Sequence, residues 1–165
     1  MNRSLRIVHL IEVPEVIPTL VDWYIAEWSP WYGPEGEGDV EADLSACNRR
    51  DVIPLWLVAF DDSKQMVGTT ALKDDLVGSE HGAGPWLSAL LVSEAYRGEG
   101  IGTALVEAIE SEAGRLGFNE IFCSTDASAR ILERRGWQSF ATSESLRGTV
   151  SVYRLDGLLN RASAH

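Results

Sequence analysis

A chain of 165 residues that is 45% hydrophobic is long enough to bury most of the surface it exposes when unfolded, and short enough to form one domain. Its 14 Lys and Arg face 25 Asp and Glu, a formal net charge of −11; that argues against a nucleic-acid backbone or an anionic membrane as partner and suits a cationic substrate, although the same acidity also serves solubility. Cys47 and Cys123 make no disulfide framework, which points to a reducing, cytoplasmic setting, and His9, His81 and His165 have no metal-ligand spacing, so no metal is expected.

In chain order, Met1 to Val13 lacks the apolar run of about 7 to 15 residues that marks a signal peptide. The run from Val52 to Phe60 contains a proline and falls far below the roughly 18 apolar residues that cross a bilayer. Leu5, Ile7 and His9 alternate as a first strand, with His9 as a polar edge or core residue rather than a catalytic base. Val16, Leu20, Val21, Tyr24, Ile25 and Trp28 have helical spacing, with Pro14 near the start and Pro18 expected to delay or kink the helix. Ser29 to Asp39 is rich in proline and glycine and reads as a loop, followed by a short acidic helix from Val40 to Asn48. This region sets Trp23, Tyr24, Trp28, Trp31 and Tyr32 beside Glu35, Glu37, Asp39, Glu41 and Asp43. Rings and carboxylates together suit a cationic amine; equally, Trp23 and Trp28 can pack a core while the carboxylates are solvated. Burial is harder to arrange for Trp31 and Tyr32 among glycines and prolines, which makes these two the substrate-binding candidates.

Pro54 to Phe60, the turn Asp61 to Lys64, and Gln65 to Leu72 form a predicted β-hairpin. A loop from Lys73 to Gly84, carrying Asp74, Asp75 and Glu80, leads into a strand from Pro85 to Val92. That strand is apolar on both faces, Trp86, Ser88, Leu90 and Val92 on one and Leu87, Ala89 and Leu91 on the other, and belongs in the middle of a sheet. A polar turn with glycines at 98, 100 and 102 follows, and then an amphipathic helix that buries Ile101, Leu105, Ala108, Ile109 and Leu116 and ends at Gly117 with Arg115 in its last turn. Glu120 to Ser124 gives a further strand, Ala127 to Arg135 a short helix closed by Gly136 and Trp137, and Trp137 to Thr142 with Gly148 to Leu155 a last pair of strands. Asn160 to His165 is expected to fray.

Strand, glycine-rich loop and helix start together make an anion cradle: glycine lets the backbone turn sharply, and unpaired N–H groups at a helix N-terminus attract phosphate. The spacing decides which cradle. Gly98, Gly100 and Gly102 give G-x-G-x-G, with Thr103 where a dinucleotide loop has its third glycine, and the Gly-Lys-Ser/Thr of a nucleoside-triphosphate loop is missing. Arg97-Gly98-Glu99-Gly100-Ile101-Gly102 instead fits Gln/Arg-x-x-Gly-x-Gly. With Leu90 to Val92 before it and Gly136-Trp137 after the short helix, the chain resembles the GNAT superfamily of acyl-CoA-dependent N-acetyltransferases. The resemblance follows element order through nearly the whole chain, but only Leu90 to Gly102, the helix, Gly136 and Trp137 are specific.

The resemblance implies a GNAT-like α/β domain over residues 1–158, with a tail at 159–165. Its central, mostly antiparallel twisted sheet would have about seven strands flanked by about four helices, the fourth and fifth strands running parallel across the intervening helix. It implies that Leu90, Leu91 and Val92 line the pantetheine arm and that Arg97, Gly98, Glu99, Gly100, Ile101, Gly102 and Thr103 hold the pyrophosphate of acetyl-CoA, the co-substrate. The expected activity is acetyl transfer to a small-molecule or peptide amine by direct attack in a ternary complex, with a homodimer as one possible assembly. A glutamate that some relatives carry on the fourth strand is missing, so the candidate catalytic groups are Asp126, also a natural helix N-cap, Glu80, and Ser124, with Tyr153 as another proton source for the thiolate. Leu132 stands where most members have the tyrosine that protonates the leaving thiolate. That departure keeps open a GNAT-fold module that binds acyl-CoA without turnover, and the glycine loop by itself leaves open some other phosphate ligand.

Overall fold

The computed structural model describes residues 4–32, 34, 36, 38–45, 51–74, 79–82, 84–125, 127–145 and 148–163. Seven strands form one sheet in the order β1-β2-β3-β4-β5-β7-β6: β1 Arg6–His9, β2 Leu55–Phe60, β3 Met66–Lys73, β4 Trp86–Val92, β5 Ile121–Thr125, β6 Gln138–Ser145 and β7 Gly148–Leu155. Among the described residues only β4 and β5 pair in parallel; β1–β2, β2–β3, β3–β4, β5–β7 and β6–β7 are antiparallel. The helices are α1 Ile17–Glu27, α2 Ser29–Tyr32, α3 Val40–Ser45, α4 Ile101–Arg115, α5 Ala129–Arg134 and α6 Leu158–Ser163. This exceeds the expected four because the predicted loop opens with the single turn α2 and the predicted tail is helical to Ser163.

The sheet separates two cores. On one face Leu55, Leu57, Leu72, Leu87, Ile121 and Tyr153 pack with Val106, Ile109 and Ala113 of α4, Leu132 of α5 and Leu158 of α6. On the other, Trp56, Val58, Ala71 and Leu91 pack with Leu20 and Tyr24 of α1 and Val40 and Leu44 of α3. Each fully buried side chain of Leu size is worth about 1.5–3 kcal/mol, and the i, i+4 spacing of Leu20 and Tyr24 is what turns one stripe of α1 inward. Pro18 occupies the first turn of α1, where its missing N–H costs nothing, behind a 3₁₀ turn over Pro14–Val16. Among the described residues no helix is long and apolar enough to cross a membrane.

The strand faces of β4 do not alternate as predicted. Thr69 pairs with Leu91 and Ala71 with Ser88, so Ala89 and Leu90 together oppose Thr70 in a two-against-one bulge. Beyond it the pattern slips by one: Leu90 and Val92 pack toward α4 together with Leu87, while Ala89 and Leu91 face α1. Ala89 takes φ 54°, a left-handed conformation that costs a non-glycine residue about 1–2 kcal/mol. Nothing in an alanine announces such a conformation, and the period-two reading therefore missed it.

Candidate functional site

Among the described residues β4 and β5 share a single register pair, Trp86 with Phe122, reinforced by the Phe122 N–H donating to Pro85 O at 2.9 Å. Past that pair the remainder of β4 runs on toward α4 without a β5 partner. The chain leaves β4 through a 3₁₀ turn, Glu94–Tyr96, and enters α4 at Gly100. Gly98 and Gly100 have φ 82° and 86°, and a Cβ on either would meet nothing within 4 Å. These two glycines are required by the backbone and not by crowding. Gly102 has the opposite role: a Cβ there would lie 2.9 Å from Ile131 Cδ1, so its smallness lets α5 pack against the first turn of α4.

The first intrahelical bond of α4 runs from Ala104 N–H to Gly100 O, 3.1 Å. The amides of Ile101, Gly102 and Thr103 precede it, at the positive end of a 15-residue helix, and that is an anion-binding arrangement. The loop is tethered on both sides. Arg97 Nε donates to Val92 O at 3.1 Å, while the Tyr96 hydroxyl lies 3.2 Å from Asp61 Oδ2 and 3.1 Å from Gln65 Oε1. Asp61 is itself fixed, its Oδ1 accepting the Ser63 and Gln65 N–H groups at 2.9 and 3.0 Å. At Gly68 a Cβ would come within 2.8 Å of Leu105 Cδ1 and 3.2 Å of Ile101 Cγ2, so the missing side chain on β3 seats the start of α4 close to the sheet. Arg97, Gly98, Glu99, Gly100, Ile101, Gly102 and Thr103 are thus contiguous at one helix start, adjoining the end of the Leu90–Val92 segment.

The other candidates are dispersed. Ser124 is half-buried on β5 opposite Val152, one residue beyond Cys123, whose thiol burial pushes up to about 12 and so keeps protonated. Asp126 lies outside the described residues. The N-cap of α5 is Ser128, and the Thr125 hydroxyl accepts the Ala127 and Ser128 N–H groups at 3.1 and 2.9 Å. Glu80 is exposed and accepts a hydrogen bond from Ser143 Oγ on β6, which, with a backbone hydrogen bond, holds its carboxyl below the ordinary value. His81 beside it lies 3.0 Å from Thr142 O and meets the Phe140 ring edge-on.

Tyr32 is partly buried, more than its glycine- and proline-rich surroundings suggested. Its ring stacks on Tyr24 at 6.2 Å and its hydroxyl donates to Asp43 at 2.8 Å; Trp23, Trp28 and Tyr32 all pack against the α1–α3 core. The turn α2 makes this burial possible by pointing Tyr32 back at α1. Asp39 is also committed, its Oδ1 accepting the Ala42 N–H at the start of α3. The Trp31 side chain, Glu35 and Glu37 lie outside the described residues.

Leu132 is fully buried in the α4-side core, so the position expected to carry a tyrosine is filled by packing. Tyr153 donates to Glu133 Oε1 at 3.3 Å, and burial followed by the Glu133 charge raises its pKa. Sequence reading also missed Glu110, only 5% exposed, which accepts from Arg135 Nε and Nη2 at 3.2 and 2.7 Å and from the Trp137 indole N–H at 3.0 Å. It pins the end of α5 to α4. Among the described residues no group of three or more His, Cys, Asp or Glu side chains could hold a metal ion. A surface hollow between Gly136, Phe140 and Arg154 lies on the outer strands, away from the loop, and its guanidinium is already paired with Glu120 and Asp156.

A family model described as acetyltransferase (GNAT) family matches residues 17–137. No curated protein sequence matches the chain. Among solved structures, an acetyltransferase of the GNAT family from Staphylococcus aureus Mu50 is similar with a TM-score of 0.69 at 14% identity, over 93% of this chain and 99% of that one. An aminoglycoside 6′-N-acetyltransferase complexed with coenzyme A gives 0.71 at 16%, over 92% and 96%. A Salmonella typhimurium protein assigned as an acetyltransferase, with its cofactor acetyl-CoA, gives 0.66 at 16%, over 94% of both chains. At these identities the likeness is one of fold.

Proposed function

Because the chain belongs to the GNAT acetyltransferase family, we propose that it transfers an acetyl group from acetyl-CoA to an amine, by direct attack in a ternary complex. The observation that carries this reading is the tethered loop from Arg97 to Gly102, with left-handed Gly98 and Gly100 opening a long helix beside a strand that has lost its parallel neighbour. Those residues suit a pyrophosphate: backbone N–H groups of 101–103 and the Arg97 guanidinium supply donors and positive potential, and no Cβ obstructs approach at 98 or 100. The pantetheine arm would follow the main chain of Leu90 to Val92, since Leu90 and Leu91 turn their side chains into opposite cores.

The acceptor must lose a proton before its nitrogen attacks, because an alkylamine of pKa near 10.4 is almost wholly protonated at neutral pH. The carbon–sulfur bond then breaks and the thiolate takes a proton. Glu80, with its carboxyl held below the usual value, is a poor proton acceptor and serves better as a fixed charge facing a cationic amine. Ser124, Asp126 and a water remain for the proton itself. A net charge of −11 favours a cationic acceptor, as does the aminoglycoside enzyme among the similar folds. The buried free thiol of Cys123 is in keeping with a reducing, cytoplasmic setting.

A second reading is favoured by one observation: Leu132 gives the leaving thiolate no proton donor, so the protein binds acyl-CoA without turnover. Calorimetry with acetyl-CoA, coenzyme A and ATP tests the binding that both readings share; preference for ATP would sink both. A thiol-release assay over a panel of polyamines, aminoglycosides and peptide N-termini then separates them. Release with at least one amine supports the enzyme, and tight binding without release across the panel supports the module.

A further inference from the structure

The bulge on β4 is held by a side chain outside the strand that carries it, and this bears on the proposed acetyl transfer, on which the inference rests. Thr70 is the single residue of β3 that faces the two-residue insertion of Ala89 and Leu90, since its neighbours Thr69 and Ala71 pair with Leu91 and Ser88. It is fully buried, and its hydroxyl donates to Ser88 O at 3.0 Å. That bond reaches the carbonyl immediately before the bulge, where two-against-one pairing interrupts the ladder. Thr69, next to it, points to the other core and uses its hydroxyl on Leu57 O at 2.8 Å, beside Tyr24 and the Trp56 indole N–H. A valine would fill either site equally well by volume, so the hydroxyls are the informative feature.

Ala89 occupies a left-handed conformation that an unconstrained alanine avoids. The strained residue lies on the strand that faces the opening beside β5, immediately before Leu90. We propose that Thr70 is a positioning residue: its hydrogen bond to Ser88 O keeps the bulge in its strained form, and the bulge sets the direction of the main-chain groups of Ala89 and Leu90 toward the acetyl thioester. Thr70 does not touch the substrate. It acts through the backbone of β4, whereas the affinity for coenzyme A itself resides in the loop at α4.

Thr70→Val removes the hydroxyl at constant volume, Thr70→Ser keeps it, and Thr70→Ala is a second hydroxyl-free variant without a methyl pressed on the Ser88 carbonyl. The informative readout is the infrared carbonyl band of bound acetyl-CoA labelled with carbon-13 at the thioester, because polarisation by main-chain donors lowers its frequency. Expected is a lowered band in the parent and in Thr70→Ser, and a band returned toward its free position in Thr70→Val and Thr70→Ala. Affinity for unacetylated coenzyme A should stay within about twofold, and kcat with the best amine should fall by about tenfold or more through misplacement alone. An unchanged band in either folded hydroxyl-free variant overturns the assignment, and so does a Thr70→Ser protein as impaired as Thr70→Val, since the methyl would then be the part that matters. A parent that binds no acetyl-CoA overturns the proposed function and this inference together; a parent that binds it, with a band insensitive to Thr70, overturns this inference alone.

Discussion

The three glycines of the loop look equivalent in the sequence and differ in the physics that requires them. Gly100 has φ 86° and open space around it, so Gly100→Ala suffers the left-handed penalty of about 1–2 kcal/mol with no clash to add. Gly102 is helical, and an added Cβ would press on the terminal Cδ1 of Ile131 at 2.9 Å, a flexible end that can move aside, and touch Val92 Cγ2 at an ordinary 3.8 Å. The helix gains up to about 1 kcal/mol when a glycine becomes alanine, so Gly102→Ala should leave stability within about 1 kcal/mol of the parent. Urea unfolding at constant m-value measures both. An equal loss in the two variants would mean that the α4–α5 contact is too rigid to yield. Gly102→Val, by contrast, puts a branched side chain into that contact and should weaken acetyl-CoA through displacement of α5.

At the scale of elements, the loop and its helix are positioned by bonds between residues far apart in the chain. Tyr96 ties the loop to the β2–β3 turn through Asp61 and Gln65. Tyr96→Phe should therefore weaken acetyl-CoA by about tenfold, equivalent to about 1.4 kcal/mol, and leave pantetheine, which lacks the pyrophosphate, unaffected. Equal weakening of both ligands would assign Tyr96 to the core alone. The partner element α5 is held through Glu110, Arg135 and Trp137. Arg135→Ala removes the guanidinium from a buried carboxylate and should cost about 3 kcal/mol, at the low end for breaking such a pair because Arg135 keeps partial solvent contact. The double replacement Glu110→Leu with Arg135→Met should recover part of that loss, since an apolar pair pays no desolvation while the Trp137 indole N–H is left without its acceptor. Failure of the double variant to recover would show that the ion pair specifies the α4–α5 geometry rather than merely filling it.

For the whole molecule, the succession of strands and longer helices was legible in local signals, the Asp61–Lys64 turn, the apolar run of β4, the glycines before α4, and Gly117 and Gly136 at helix ends, while the parallel placement of β4 and β5 in the sheet came from the family resemblance. The bulge at Ala89, the tether of Tyr96 and the burial of Glu110 were not legible, since each depends on partners about 20 to 35 positions away and leaves no periodic trace. The packing of Tyr32 was not legible either, since its hydroxyl finds Asp43, 11 positions on, only once α2 forms. Net charge is the one global property that sequence states outright, and it yields a test independent of any single residue. A body carrying −11 attracts a polycationic acceptor and repels the anionic donor, and both effects are screened over about 8 Å at physiological salt. Raising salt from roughly 0.02 to 0.3 M should then raise the Michaelis constant for a polyamine or aminoglycoside acceptor while that for acetyl-CoA stays flat or falls, because screening relieves global repulsion there as it weakens the short-range pull of Arg97 and the α4 amides. Opposite slopes in one titration with one enzyme preparation cannot come from a general loss of activity. Parallel slopes, or an acceptor constant indifferent to salt, would point to a neutral or anionic acceptor and reduce the acidity of the chain to a means of staying in solution.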